Sequence, residues 1–158
     1  LLISEDVLAA IKTIRKLGIK VILEGKFCKI YGNGIDGFKY KKNLILNAEN
    51  SGTLGRLILG FLVNTPSPIK IIGDRSLSKR DFKRISDPLS KFGAILKLKN
   101  NKNLPLTIYE SKNLRPISYL ENRGSAQCKS AVISAGMRTN GMNLIKAKKS
   151  RNHTELLC

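Results

Sequence analysis

The sequence repeats one order of predicted elements at an interval of 75 residues. In each half, a helix that ends at a glycine is followed by a hairpin, an extended segment, a polar loop, a second helix and a strand. The helix-ending glycines are Gly18 and Gly93, and the same offset of 93 − 18 = 75 takes Asn50 to Ser125. An interval this long is typical of a duplicated βαβαββ-type unit and not of a thin solenoid repeat. We therefore predict an α/β (α+β) fold made of repeated βαβαββ units.

Apolar residues at helical spacing predict the main helices. One helix begins behind Ser4, and another begins at Asn50 or Ser51, either of which is a natural N-cap. Pro88 lies inside a third apolar stripe and predicts a kink, or a restart with Asp87 as the cap. The stripes are Val7, Leu8, Ile11, Ile14 and Leu17; Leu54, Leu57, Ile58, Phe61 and Leu62; Phe82, Ile85, Leu89 and Phe92; and Cys128, Ala131, Val132 and Ala135.

Apolar and β-branched runs predict two hairpins, at 19–31 and 94–109, and a buried strand at 69–72. Between them, residues 32–37 match the G-x-G-x-x-G pattern of dinucleotide-binding proteins. That pattern needs a helix to open directly after it, and residues 38–43 have no helical apolar period. We interpret 32–37 as turns at the end of a strand.

The composition indicates a soluble globular protein, with 42% apolar and 25% charged residues in a chain of 158. No window approaches the roughly 20 apolar residues of a membrane span, so we expect no membrane partner. Three cysteines without a C-x-x-C pair predict reduced thiols in a cytoplasmic protein and argue against a metal site. The chain lacks an initiator Met and starts inside a helix, which predicts an internal piece of a longer protein.

The net charge of 29 − 11 = +18 suggests an anionic partner. Lysines are spread along the chain, and the nine aromatic residues (Tyr 4, Phe 5) form no stacking platform for bases. A cleft for small anions therefore explains the charge better than nucleic acid does, although a basic nucleic-acid-binding module stays an alternative.

Four polar segments precede or open helices, at 50–56, 74–80, 124–130 and 150–155. Each supplies hydroxyl, amide or guanidinium groups where the helix dipole favours negative charge. If the duplicated units are related by rotation, these helix starts converge on one face. His153 is the only histidine, and neither a Ser-His-Asp set nor a carboxylate pair is suggested. The segments predict anion binding and charge stabilisation without an evident general base.

The four segments resemble the motifs of EPSP synthase, in the family's order and over essentially the whole chain. They read Asn-Ser-Gly-Thr at 50–53 with Arg56, Gly-Asp-x-Ser-Leu-x-Lys-Arg at 73–80, Ser-Ala-Gln-x-Lys-Ser-Ala at 125–131 and Ser-Arg-x-His-Thr-Glu at 150–155. The resemblance implies enolpyruvyl transfer from phosphoenolpyruvate to shikimate 3-phosphate with release of phosphate. It also implies a monomer without cofactor and a fold of two lobes, each with three βαβαββ units.

By motif match, Gly52 and Arg80 would bind phosphoenolpyruvate, and Gln127 would lie between the two substrates. Shikimate 3-phosphate would be held by Ser125, Ala126 and Ser150, with Arg151, while Asn50 and Thr53 would shape their loop. Two positions depart from the family: Asp81 replaces a usual Pro, and Asn152 replaces a usual Asp. Residues 1–158 would form a partial N-terminal lobe of about two repeats, incomplete at both ends. The resemblance implies that the second lobe and its acid–base residues lie beyond residue 158, so the chain alone is expected to be inactive.

Simpler interpretations of single residues stay open. Thr53 and Ser130 would serve as helix caps, Arg56 would anchor a helix face, and Lys129 would be solvated surface. Cys128 is expected in the core. For the whole protein, the alternatives are a transferase acting on UDP-N-acetylglucosamine, which lacks this pairing of motifs, and a decayed, non-catalytic paralogue.

Overall fold

A computed structural model describes residues 2–157, which form five helices and eight strands. In chain order these are α1 Glu5–Lys16, β1 Lys20–Glu24, β2 Phe27–Tyr31, β3 Leu44–Asn47, α2 Gly52–Phe61, β4 Ile69–Ile72, α3 Lys83–Lys91, β5 Ile95–Lys99, β6 Asn103–Tyr109, β7 Ser118–Glu121, α4 Ala126–Gly136, β8 Leu144–Ala147 and α5 His153–Leu157. A short 3-10 helix, Leu77–Lys79, lies between β4 and α3. The run from β3 to β6 is one complete βαβαββ unit.

The strands form three sheets. The largest has the order β3-β4-β6-β5, in which β3 and β4 are parallel and β6 is antiparallel to both of its neighbours. β1 and β2 form an antiparallel hairpin, and β7 pairs with β8 in parallel. Both hairpins predicted from the sequence are confirmed, and no helix follows the glycine-rich segment 32–37.

The predicted recurrence is visible in the structure. The order α1-β1-β2-β3-α2-β4 is followed by α3-β5-β6-β7-α4-β8, and β4 and β8 are offset by 144 − 69 = 75 residues. Gly18 and Gly93, directly behind α1 and α3, both adopt positive φ angles, +84° and +98°. The two copies therefore share the backbone geometry at the end of the helix as well as their element order.

The main core lies around α2 and α4, which pack closely against each other. A β-carbon on Gly60 would lie 2.2 Å from the carbonyl oxygen of Ala131, so this approach requires a glycine. The apolar stripe predicted for α2 needs a correction: Ile58 and Leu62 are buried, but Phe61 is 36% exposed. The face with the glycines, Arg56 and Leu59 is buried instead, because this is the face that meets the rest of the core.

The restart predicted at Pro88 is wrong, since α3 continues through Pro88 from Lys83 to Lys91. Asp87 lies inside the helix, and its carboxylate accepts from Lys83 Nζ at 2.6 and 2.8 Å. The start of α3 is capped by Asp81, whose Oδ1 accepts from the backbone N–H of Lys83 at 2.8 Å. Asp81, one of the two departures from the family pattern, thus performs a local structural task.

Candidate active site

The starts of α2 and α4 lie next to each other. Ser51 caps α2 by accepting from the N–H of Leu54 at 3.2 Å, and Ser125 caps α4 by accepting from the N–H of Cys128 at 3.3 Å. The caps predicted at Thr53 and Ser130 are therefore wrong; both residues lie inside their helices. The adjacent N-termini place two positive dipole ends at one edge of the core, which favours bound anions.

An open cleft of about 530 Å³ lies at this edge. Five residues singled out from the sequence meet there, together with three from the start of α1. The lining residues are Asn50, Gly52, Thr53, Arg80 and Gln127, with Ser4, Glu5 and Asp6. Sequence reasoning recognised Ser4 as a helix cap but missed that the start of α1 faces this cleft. The signal available was that α1 also begins with a capped polar turn.

Gln127 is held at both ends of its amide. Its Nε2 donates to Thr53 Oγ1 at 3.0 Å, and its Oε1 accepts from Arg56 Nη1 at 2.5 Å. These two bonds join α4 to α2 across 74 and 71 residues of sequence. They also fix the amide nitrogen toward Thr53 and the amide oxygen toward Arg56, so the side chain of Gln127 is pre-oriented in the cleft.

Arg80 is oriented by a polar chain from the loop after β4. Asn50 Oδ1 accepts from Arg80 Nη2 at 3.3 Å, and Asn50 Nδ2 donates to Asp74 Oδ2 at 2.9 Å. The other oxygen of Asp74 accepts from the N–H of Leu77 at 2.6 Å, which ties it to the 3-10 helix. Asn50 therefore links two of the predicted polar segments and places the guanidinium of Arg80.

Gly52 lies directly beside two guanidinium groups. A β-carbon at this position would be 3.0 Å from Arg80 Nη1 and 3.1 Å from Arg56 Nη1. Those distances are tighter than ordinary van der Waals contact. A hydrogen atom at Gly52 thus leaves room for both cations against the first turn of α2.

The positive charge around Arg56 is only partly compensated. Arg56 is 9% exposed and stacks on the ring of Phe82 at 5.5 Å, so its predicted anchoring of the helix is confirmed. Burial, followed by the nearby Arg84 and Arg80 cations, lowers the pKa of Arg56. Its Nε is buried without a hydrogen-bond partner among the described residues. An anion at the cleft would relieve this like-charge repulsion.

Apart from Gln127, the residues matched to shikimate 3-phosphate do not line the cleft. Ser125 uses its hydroxyl as the helix cap and donates its N–H to Glu121 Oε2 at 2.9 Å, while Ala126 is the half-buried first residue of α4. Ser150 and Arg151 lie on the loop between β8 and α5. Arg151 is exposed, and the Oγ of Ser150 is buried without a partner in the described part of the chain.

Lys129 is buried, and the interpretation as solvated surface is wrong. The residue is 4% exposed, and its ammonium donates to the carbonyl of Arg151 at 2.8 Å and forms a close ion pair with Glu155. The hydrogen bond from Lys129 lowers the pKa of the Glu155 carboxyl. Cys128, next to it, is 2% exposed, as expected for a core residue.

The model of the family EPSP synthase (3-phosphoshikimate 1-carboxyvinyltransferase) matches residues 1–157. The chain belongs to the EPSP synthase family. A 3-phosphoshikimate 1-carboxyvinyltransferase of Streptococcus agalactiae is 43% identical over 154 residues, covering 96% of this chain and 36% of the relative. One of Bacillus cytotoxicus is 40% identical over 156 residues, covering 98% and 36%.

The fold of the family is shared as well. The solved EPSP synthase of Acinetobacter baumannii superposes with a TM-score of 0.91 at 32% identity, covering 98% of this chain and 35% of that one. The chain thus spans about a third of the length of the EPSP synthase relatives it matches, 36% for those of Streptococcus and Bacillus. Within residues 2–157 no helix is long and apolar enough to cross a membrane.

Proposed function

We propose that this chain supplies the phosphate-binding part of an enzyme that transfers the enolpyruvyl group from phosphoenolpyruvate to shikimate 3-phosphate. The observation that carries the proposal is the guanidinium of Arg80, which lines the cleft beside Gly52 at the start of α2, with the buried guanidinium of Arg56 also packed against Gly52. Two planar cations beside a helix N-terminus suit a phosphate that leaves during the reaction. Membership of the EPSP synthase family supports the choice of reaction.

The residues take separate roles in this proposal. Gly52 offers its backbone N–H and, with Arg80, holds phosphoenolpyruvate, while Gln127 reaches both substrates from its fixed position beside Thr53. Ser125, Ala126, Ser150 and Arg151 hold shikimate 3-phosphate, and Asn50 orients Arg80 through the bond at 3.3 Å. The buried, unpartnered hydroxyl of Ser150 supports a ligand at that loop.

The proposed division of labour requires more protein than residues 1–158. We assign these residues to most of one lobe, with about two repeats, and the proton transfers to residues of a second lobe. The chain alone then binds anions but does not turn over, and the complete protein acts as a cytoplasmic monomer on small-molecule anions. Measurable phosphate release by the isolated chain contradicts this assignment.

The test uses a chimera in which a relative supplies the two thirds of its length that this chain does not span. Residues 2–157 replace the aligned segment of the Streptococcus agalactiae relative, and phosphate release is measured with both substrates present. Arg80→Ala should lower kcat/KM by about 10²–10³-fold, because one charge-stabilising donor is lost. Arg75→Ala is the matched control: it removes a cation from the same loop, and Arg75 does not line the cleft.

The alternatives predict other outcomes in the same experiment. Turnover with UDP-N-acetylglucosamine in place of shikimate 3-phosphate would assign the related transferase. Binding of any polyanion with a steep salt dependence, unaffected by Arg80→Ala, would favour a nucleic-acid-binding module. A chimera that unfolds cooperatively but releases no phosphate contradicts the proposed activity and favours a non-catalytic paralogue.

A further inference from the structure

Helix α5 is attached to the rest of the molecule mainly by polar contacts. None of its residues, His153–Leu157, is buried, so apolar packing contributes little to its position. Two side-chain contacts with α4 hold it: the ion pair of Lys129 with Glu155, and the hydrogen bond between the hydroxyls of Ser130 and Thr154 at 2.5 Å. The loop before α5 is fixed at its other end by the bond from Lys148 N to Glu121 O at 2.9 Å.

Lys129 is an unusual residue for its location. It lies on α4, a helix made mostly of small residues, its side chain is 6% exposed, and its ammonium has two oxygen partners on one short segment. Burying an ammonium is costly unless it is paired and hydrogen-bonded. Since one of the two oxygens is the main-chain carbonyl of Arg151, the same charge fixes the backbone of the loop as well as the start of α5.

The position of Lys129 along α4 connects this loop to the cleft. Gln127, two residues earlier in the first turn of the same helix, reaches Thr53 and Arg56 on α2. The first turn of α4 therefore contributes Gln127 to the cleft and uses Lys129 to bind the loop of Ser150 and Arg151. Lys129 itself does not line the cleft.

We propose that Lys129 is a positioning residue that sets the affinity for shikimate 3-phosphate by clamping the loop of Ser150 and Arg151 to α4. The clamp acts on one substrate, because phosphoenolpyruvate is assigned to Gly52 and Arg80, which are held by α2 and the loop after β4. The substrate assignment in this inference rests on the proposed function; the clamp itself rests on the contacts of Lys129.

The test is Lys129→Met in the chimera, with the KM of each substrate measured separately. A loop released by about an ångström loses on the order of 10- to 100-fold in a positioned interaction. We therefore expect the KM for shikimate 3-phosphate to rise by about that factor, with the KM for phosphoenolpyruvate changed less than about twofold. Amide hydrogen exchange should accelerate at 150–155 and stay slow in the interior of α4.

Two further variants make the result specific. Glu155→Ala removes the exposed partner and leaves the bond from Lys129 to the Arg151 carbonyl, so it should shift the same KM in the same direction by a smaller factor. Lys83→Met breaks an exposed ion pair, with Asp87 at 2.6 Å, and should change neither KM. If Lys129→Met unfolds the chimera, Glu155→Ala still tests the clamp.

The outcomes separate this inference from the proposed function. Equal changes in both KM values, or unchanged exchange at 150–155, would overturn the clamp and leave Lys129 a general core residue. Suppose instead that Lys129→Met accelerates exchange at 150–155 but the unsubstituted chimera shows no turnover. That result would support the clamp and overturn the substrate assignment.

Discussion

The candidate site depends on Gly52 having no side chain. Two cations approach this position to about contact distance, and the helix dipole adds to their field. The neighbouring residues of the first turn have other tasks: Ser51 caps the helix and Thr53 holds Gln127. The residue proposed to bind phosphoenolpyruvate and the residues that cap the helix and hold Gln127 are thus adjacent in sequence but chemically distinct.

Gly52→Ala should weaken phosphoenolpyruvate binding while leaving the fold intact. The added methyl group meets the ends of two flexible side chains, at 3.0 and 3.1 Å, so the guanidiniums move and the backbone does not. We expect the KM for phosphoenolpyruvate in the chimera to rise by about tenfold or more, with the free energy of unfolding changed by less than about 1 kcal/mol. Gly32→Ala, where no atom lies within 4 Å of the added carbon, is the control. A large loss of stability in Gly52→Ala would show that the contact is structural.

Helix α5 is attached to α4 by an ion pair, so its position depends on charge. The pKa of Glu155 is lowered chiefly by the side-chain hydrogen bond from Lys129, then by a backbone hydrogen bond, with smaller contributions from the charges of Lys129 and His153. The ionised carboxylate is thus the form that holds α5. When the pH falls through the lowered pKa, that carboxylate is protonated and the stabilisation is lost.

Acid should therefore release α5 before it unfolds the core. Because the pKa is lowered in the folded state, the contribution is complete above the ordinary glutamate pKa and disappears below the lowered one. We expect amide exchange at 153–157, corrected for the intrinsic pH dependence, to rise as the pH falls below the ordinary glutamate pKa of about 4.3 and through the lowered one. In Glu155→Gln this step should be absent. A step of the same size in that variant would assign the release to another group.

The molecule as a whole shows which features its sequence could predict. The two hairpins and a helix cap at Asn50 or Ser51 are local patterns, and the structure has both hairpins and the cap at Ser51. The 75-residue recurrence could be predicted because it is a repeated order of such local elements. Lys129 could not be placed correctly, because its partner Glu155 comes 26 residues later and a lysine among small residues fits a surface equally well. The start of α1 was missed for a similar reason: its place at the cleft depends on tertiary packing.

The recurrence predicts matched effects of substitution at its two equivalent glycines. A β-carbon would lie 2.3 Å from the Lys39 carbonyl oxygen at Gly18, and 2.6 Å from that of Asn113 at Gly93. Both positions have positive φ, so alanine adds backbone strain of about 1–2 kcal/mol to an overpacking cost of about 1–3 kcal/mol.

We expect Gly18→Ala and Gly93→Ala each to lower the free energy of unfolding by about 2–5 kcal/mol, measured by urea denaturation. Gly34→Ala separates the two contributions, because Gly34 has a φ of +78° but no atom within 4 Å of the added carbon. It should cost only the strain. If Gly93→Ala were costly and Gly18→Ala no worse than Gly34→Ala, the two helix ends would share a backbone shape without sharing its packing. The two copies would then share their element order and backbone conformation but not the packing around the glycine.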